Sequence, residues 1–303
     1  VPEPVLPTTS FLASNVQGLT LIEVLMTLVL LSILTFTSIE LVSDSLDEAR
    51  YEQTIQKMER IKAAILGDPL VRENGTRTSF GYLGDVGMLP NVTQGIEALV
   101  ARPTDGLDEV PDFAMAEFAR FGAGWSGPYL FSAAGSVDTL LDAWGNTILY
   151  DPTLTPPEMR SLGADGLDDG GGGDLTGYNK DIVIQLPEEL WQGTVYGYIN
   201  NRGSPYLGEA YVTLYRPNPD WTIPSPVVSP EEIVLPDYTL ITPSPGDPVG
   251  QFSFTGVPFG KRSIMILIPM PSPTPTMTIG PVIFTLDKKN LELNEDSFDI
   301  SNQ

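Results

Sequence analysis

Apolar residues gather first in one unbroken stretch. Residues 19–42 read LTLIEVLMTLVLLSILTFTSIELV, and the sixteen positions between Glu23 and Glu40 carry no charge. From residue 44 the pattern changes. In DSLDEARYEQTIQKMERIKAAIL, residues 44–66, apolar side chains fall at Leu46, Ala49, Ile55, Met58, Ile61 and Ile65, with charges filling the other positions. This is the period of one helical face. Gly67, Asp68 and Pro69 then stop it. The two patterns predict one helix over 19–66, apolar all round to about residue 42 and amphipathic after it. A bilayer core takes about 20 apolar residues, so the first half is a membrane-anchor candidate with Glu23 near one interface. No basic region precedes it and no A-x-A follows, unlike a secretory signal peptide.

Beyond the helix the periods shorten. Residues 93–101 predict a short helix with Ile96, Leu99 and Val100 on one face. Gly127-Pro128 and Trp144-Gly145-Asn146 are turn signals, and Thr147–Tyr150 is strand-like. Trp125, Tyr129 and Trp144 read as core. From Leu186 the composition shifts, and 17 of the 28 prolines lie in 187–303. Alternating runs recur at 193–199, 210–216, 250–255, 262–268 and 281–286, which is the pattern of an all-β sandwich. Its expected core is Val195, Ile199, Val212, Leu214, Phe252, Phe254, Ile264, Ile266 and Ile268. The proline-rich stretch 217–248 reads as a long surface excursion.

Composition then narrows the chemistry. The chain of 303 residues has no cysteine and no histidine, which excludes disulfides, thiol nucleophiles, Cys/His zinc sites and a Ser-His-Asp triad. With 39 acidic and 16 basic residues the net charge is −23, so nucleic acid is not an expected partner. No nucleophile–base pair and no phosphate loop stands out, and an enzyme is not expected. The acid is concentrated in one place. Asp165, Asp168, Asp169, Asp174 and Asp181 are threaded by Gly166, Gly170–Gly173 and Gly177. Crowded carboxylates repel unless water or a cation separates them, and glycines let backbone carbonyls turn inward. From composition alone this segment is equally a solvated loop or a cation site.

The run Gly18-Leu19-Thr20-Leu21-Ile22-Glu23 resembles the cleavage and methylation site of type IV prepilins and type II secretion pseudopilins. The words FGYLGDVGMLP, TQGIEALV, WSGPYL, LLDAWGNTILYD and SLGADGLDDGGGG, in that order, are similar to the major pseudopilin. In that family a peptidase cuts after the glycine, the new N-terminus is methylated, and the glutamate stands fifth. The resemblance therefore implies cleavage between Gly18 and Leu19. It also implies a role for Glu23 in filament assembly, by pairing with a neighbouring subunit's α-amino group. Leu19 stands where Phe is usual and the leader 1–18 has no Lys or Arg, so a cleaved and a retained leader both stay open. The resemblance further implies calcium in the acidic loop. Its ligands would be the carboxylates of Asp165, Asp174 and Asp181 and the carbonyls of Leu162 and Leu167, with Asp168 and Asp169 in reserve. Segments 104–123 and 175–180 are insertions relative to the family. GTVYGYINNRGSPYLGEAYVTLY and GQFSFTGVPFGKRSIMIL resemble the carboxypeptidase-regulatory-like, transthyretin-like sandwich.

The expected fold is α+β: a long pilin helix packed on a small antiparallel sheet, followed by an Ig/transthyretin-like β-sandwich. The expected divisions are leader 1–18, helix 19–66, pseudopilin-like domain 67–186 and sandwich 187–303. The expected function is a homo-oligomeric subunit of a periplasmic or extracellular type IV pilus-like or pseudopilus filament, assembled through its apolar N-terminal helix and stabilised by calcium. It would be held in the inner membrane before assembly and handled there by prepilin peptidase and the assembly machinery. The alternative is a minor pilin or adhesin whose sandwich binds a surface. Asn74-Gly75-Thr76 and Asn91-Val92-Thr93 match the N-glycosylation acceptor.

Overall fold

The structure is a computed structural model. It describes residues 20–104, 109–131, 140–169, 176–201, 204–205, 208–218, 234–241, 250–269, 276–293 and 298, with side chains at 37–43, 201, 204–205, 235 and 240–241 outside the description. Contacts divide it into two units, Val1–Ala49 and Arg50–Gln303. One N-terminal helix is followed by mostly β structure, so the class is α+β.

Helix α1 runs Leu21–Leu66. Neither Pro nor Gly interrupts it, and good helix formers such as Ala, Glu, Gln, Lys and Arg recur through its second half. In the first unit every described apolar side chain from Leu21 to Phe36 is exposed. Among the described residues no helix is long and apolar enough to cross a membrane.

In the second unit the amphipathic half of α1 buries Thr54, Met58, Ile61 and Ile65, one stripe of the helix. Leu46 is exposed, so the buried stripe starts later than the sequence period suggests. Gly67 ends the helix at φ +78, where an added Cβ would strike the backbone of Ser79 and Phe80. Arg77, itself buried, donates from Nη2 to the Leu66 carbonyl and from Nε to Ser79 O at 2.8 Å. A cation there also suits the negative end of the helix dipole. Strands β1 (Arg72–Glu73) and β2 (Thr76–Arg77) form a hairpin. Its turn is Asn74-Gly75 with φ of 52° and 82°, the conformation that Asn-Gly favours. Helix α2, Gly81–Val86, follows, with Tyr82, Leu83 and Val86 buried.

A small hairpin comes next, β3 (Ala114–Ala116) with β4 (Phe121–Ala123). Then β5 (Leu149–Asp151), β6 (Glu158–Ser161) and β7 (Ile182–Gln185) make an antiparallel meander, with Leu149 opposite Arg160 and Ser161 opposite Ile182. Met58, Ile61 and Ile65 of α1 share a core with Leu83, Val86, Leu99, Ile148, Met159 and Ile182. Ile96 and Leu99 lie buried on the 3-10 turn Gly95–Leu99, and Val100 caps it. The acidic segment 162–181 is thus the β6–β7 connection.

The rest is β8 (Gln192–Tyr198), the two-residue pair β9 (Asn200–Asn201) and β10 (Ser204–Pro205), then β11 (Ala210–Pro217), β12 (Val234–Ile241), β13 (Gln251–Pro258), β14 (Gly260–Ile268), β15 (Met277–Leu286) and β16 (Asn290–Glu292). They form a four-stranded sheet in the order β12-β11-β14-β15 and a three-stranded sheet in the order β13-β8-β16, with β16 parallel to β8. All nine core residues expected from the alternation are buried in one cluster. The proline-rich excursion is corrected in part: Val234–Ile241 is a strand. Pro236 is tolerated because β12 lies at the sheet edge, where a missing N–H breaks no second ladder.

Three features join these layers inside Arg50–Gln303. Phe80, beside α2, belongs to the second core. The β3–β4 hairpin, inside the 104–123 insertion, packs Ala116 and Phe121 with Tyr215 and Val234. Arg262 of β14 is fully buried and donates to Gly84 O at 3.2 Å, Pro258 O at 3.1 Å, Phe259 O at 3.0 Å and Lys261 O at 2.7 Å. Burial lowers its pKa, and the nearby Asp85 charge opposes that shift.

Candidate functional site

Two places carry chemistry, and they lie in different units. Gly18 and Leu19 are outside the described residues. Glu23 stands in the first turn of α1, where its N–H is capped by Thr20 O at 3.1 Å and by Thr20 Oγ1 at 3.4 Å. Its carboxylate is set among exposed Leu21, Ile22, Val24 and Leu25. The hydroxyls nearby satisfy themselves. Thr27 donates to Val24 O at 2.8 Å, Ser32 to Val29 O at 2.8 Å and Thr35 to Leu31 O at 2.7 Å. An apolar neighbour covering this helix would strand none of these hydroxyl donors. It would desolvate one charge, Glu23, at several kcal/mol unless a cation met it.

The second place is the β6–β7 loop. Asp181, at its end, is clamped to Asp169 in its middle: Asp181 N–H donates to Asp169 Oδ2 at 3.1 Å, and Asp169 N–H donates to Asp181 Oδ2 at 3.4 Å. The Asp181 side chain is only 4% exposed. Arg160 stands beside the clamp, with Nη1 at 3.3 Å from Asp181 Oδ2 and 3.4 Å from Asp168 Oδ1, while Nη2 takes Glu158 Oε1 at 2.7 Å. Even so, Asp169 Oδ1 and Asp181 Oδ1 are buried with no hydrogen-bond partner among the described residues. Burial is the main reason the Asp181 carboxyl is pushed above the usual aspartate range. The Asp169 and Asp168 charges add to the rise, while the Asp169 N–H and Arg160 oppose it.

The expected ligands are only partly brought together. Asp181 is at the centre, but its partner is Asp169, which the sequence held in reserve. Asp165 Oδ1 accepts from Leu167 N–H at 3.0 Å, so this carboxylate shapes the turn bracketed by Leu162 and Leu167. Asp168 is exposed and leans on Arg160. Asp174 is outside the described residues. Among the described residues no group of three or more carboxylates is arranged to hold a metal. Among the described residues, two desolvated carboxylate oxygens face no donor, and oxygen donors of this kind are the type a hard cation takes.

Sequence reasoning missed the support beneath this loop. Asp142, 3% exposed, accepts Trp144 N–H at 2.9 Å and Asn146 N–H at 2.8 Å on Oδ1, and Ser161 Oγ at 2.7 Å on Oδ2. Asn146 Nδ2 donates to Gly163 O at 2.8 Å. Gly163 has φ +65, and an added Cβ would lie 2.7 Å from Asn179 O. The turn residues Trp144-Gly145-Asn146 were legible. The signal for Asp142 was its place two residues before Trp144, where a carboxylate caps its own turn.

No curated protein and no solved structure matches the chain. Residues 13–38 match the prokaryotic N-terminal methylation motif, a span that ends within α1 and includes Glu23. The match supports a type IV pilin-like protein, which in general is a membrane-anchored precursor processed by prepilin peptidase and then a surface-filament subunit.

Proposed function

We propose that the chain is the structural subunit of a type IV pilus-like surface filament, assembled through the apolar half of α1 and stabilised by calcium in the β6–β7 loop. The observation that carries this reading is the run of exposed apolar side chains from Leu21 to Phe36 directly around Glu23, inside the matched motif. Exposed apolar surface on this scale needs cover. A helical stack of identical subunits supplies it through a head-to-tail contact that does not close. In that stack the Glu23 carboxylate meets the α-ammonium of a neighbour and both charges leave water together. Leu19 is then the first residue of the mature chain.

The calcium reading is supported by one oxygen each of Asp169 and Asp181 that is buried without a hydrogen-bond partner among the described residues. A hard, oxygen-seeking cation supplies positive charge to such oxygens. Asp169 and Asp181 would hold it, with Asp174 and the carbonyls of Leu162 and Leu167 as further donors. The sheets of 192–292 are read as an Ig/transthyretin-like sandwich added to this subunit, since their two inner faces share one core.

Glu23→Ala tests the assembly role. The variant should keep the near-ultraviolet circular dichroism of a folded globular unit, yet yield no filaments in the sheared surface fraction. Normal filament yield from Glu23→Ala would overturn the role given to this carboxylate.

A further inference from the structure

The hydrogen bonds around Asp142 do more than hold a turn. On one side they reach α1. Thr54 Oγ1 accepts Ala143 N–H at 3.1 Å while donating to Arg50 O at 2.9 Å, and Lys57 Nζ donates to Leu141 O at 3.0 Å. On the other side they reach the acidic loop, through Ser161 Oγ to Asp142 and through Asn146 Nδ2 to Gly163 O. Ser161 Oγ also accepts Gly163 N–H at 3.4 Å. The far limb of the loop returns to the same helix. Ala164 N–H donates to Tyr178 O at 2.8 Å, and the Tyr178 ring stands 6.0 Å from that of Tyr51.

Thr54, Asp142 and Ser161 are all buried polar side chains. Such groups are tolerated only when satisfied, and here each is satisfied within this one network. Moving Gly163 therefore pulls on Asn146, Asp142 and the 141–143 segment that grips α1. Buried networks of this kind tend to keep a single arrangement or lose several bonds at once.

We propose that Asp142 is a positioning residue that couples the acidic loop to the Thr54–Met58 turn of α1, so that cation binding in the loop tightens that turn. This rests on the cation reading given above. It adds a consequence: the ion regulates the helix that assembles the filament as well as the loop that holds it.

The test is hydrogen exchange on the full chain in detergent micelles, with millimolar calcium or with chelator, alongside calorimetric titration of calcium. In the wild type, calcium should slow exchange at 163–164 and also at 54–58, by at least about fivefold, the lower end of ordinary coupling between sites. Asp142→Ala leaves Asp169 and Asp181 in place, so calcium should still bind while the slowing at 54–58 disappears. Asp142→Asn keeps an oxygen for the Trp144 and Asn146 N–H groups and should restore it. Thr54→Val keeps the side-chain shape, removes the acceptor for Ala143 N–H, and should lose the helix response with calcium binding unchanged. If Asp142→Ala does not fold, Thr54→Val decides alone. Calcium binding with full slowing at 54–58 in Thr54→Val, or in folded Asp142→Ala, would overturn the coupling and leave the cation reading standing. Wild-type calorimetry without calcium binding would overturn both.

Discussion

Asp181 offers a perturbation whose sign can be worked out in advance. Its carboxyl has a raised pKa in the folded protein, chiefly from burial. Between the ordinary aspartate value and that raised value, the folded state holds a proton that the unfolded state has lost. Stability from this group is therefore fully present below the ordinary value and falls as pH rises through the raised one. A divalent cation reverses the trend, because it binds the ionised carboxylate and takes up the unpartnered Asp181 Oδ1 and Asp169 Oδ1. A ligand held only by the folded state adds about 2.7 kcal/mol at a hundredfold excess over its Kd. For a chain of this size that is roughly 5–10 °C in Tm. Thermal melts of the detergent-solubilised chain with millimolar calcium or with chelator should differ by this amount at pH 7.5 and converge towards pH 4. Asp85, also raised by burial, contributes a slope of the same sign. It cancels in the comparison because no cation is assigned to it. Asp181→Asn places a neutral amide where the charge was buried. It should reduce the pH dependence in chelator, leaving the Asp85 slope, and abolish the calcium gain. Coincident melts with calcium and chelator at pH 7.5, with no heat in titration, would refute the reasoning and leave 162–181 a solvated connection.

Arg262→Ala leaves four carbonyls of α2 and the β13–β14 segment without their shared donor, and chemical denaturation should show a loss of about 3–5 kcal/mol, the scale for breaking a buried charged network. Arg262→Met, which keeps most of the volume, should recover part of that loss. Gly163→Ala should lower Tm and weaken calcium binding together, since φ +65 and the Asn179 carbonyl both resist a Cβ. Mass spectrometry of filament subunits should give a chain beginning at Leu19 and N-methylated. A subunit retaining Val1–Gly18 would contradict processing at the matched motif.

Much of the fold was legible because its period was simple. Met58, Ile61 and Ile65 mark the buried stripe of α1, and Ile264, Ile266 and Ile268 mark the inner face of β14. The same alternation puts Arg262 on that inner face, yet a charged residue reads as exposed until its four carbonyl partners are known. Thr54 was passed over for the same reason, being polar on an apolar stripe. Strand β12 was hidden by Pro236, which reads as a breaker unless the strand is known to be an edge. Strand β16 is three residues long and pairs in parallel with β8, a long-range contact with no local signal. In the acidic loop, composition located the site. It did not rank its carboxylates, because the ranking depends on the clamp that brings Asp169 to Asp181 across the loop.

Whether this chain builds a filament through the apolar half of α1 is read directly from a cryo-electron microscopy reconstruction of sheared surface filaments. The reconstruction should show a core of bundled helices in which residues 21–36 are enclosed and the Glu23 carboxylate lies within ion-pair distance of a neighbour's Leu19 amino group. Preparations holding only dispersed subunits, or filaments whose core is built from the β-sheets with residues 21–36 outside it, would contradict assembly through α1.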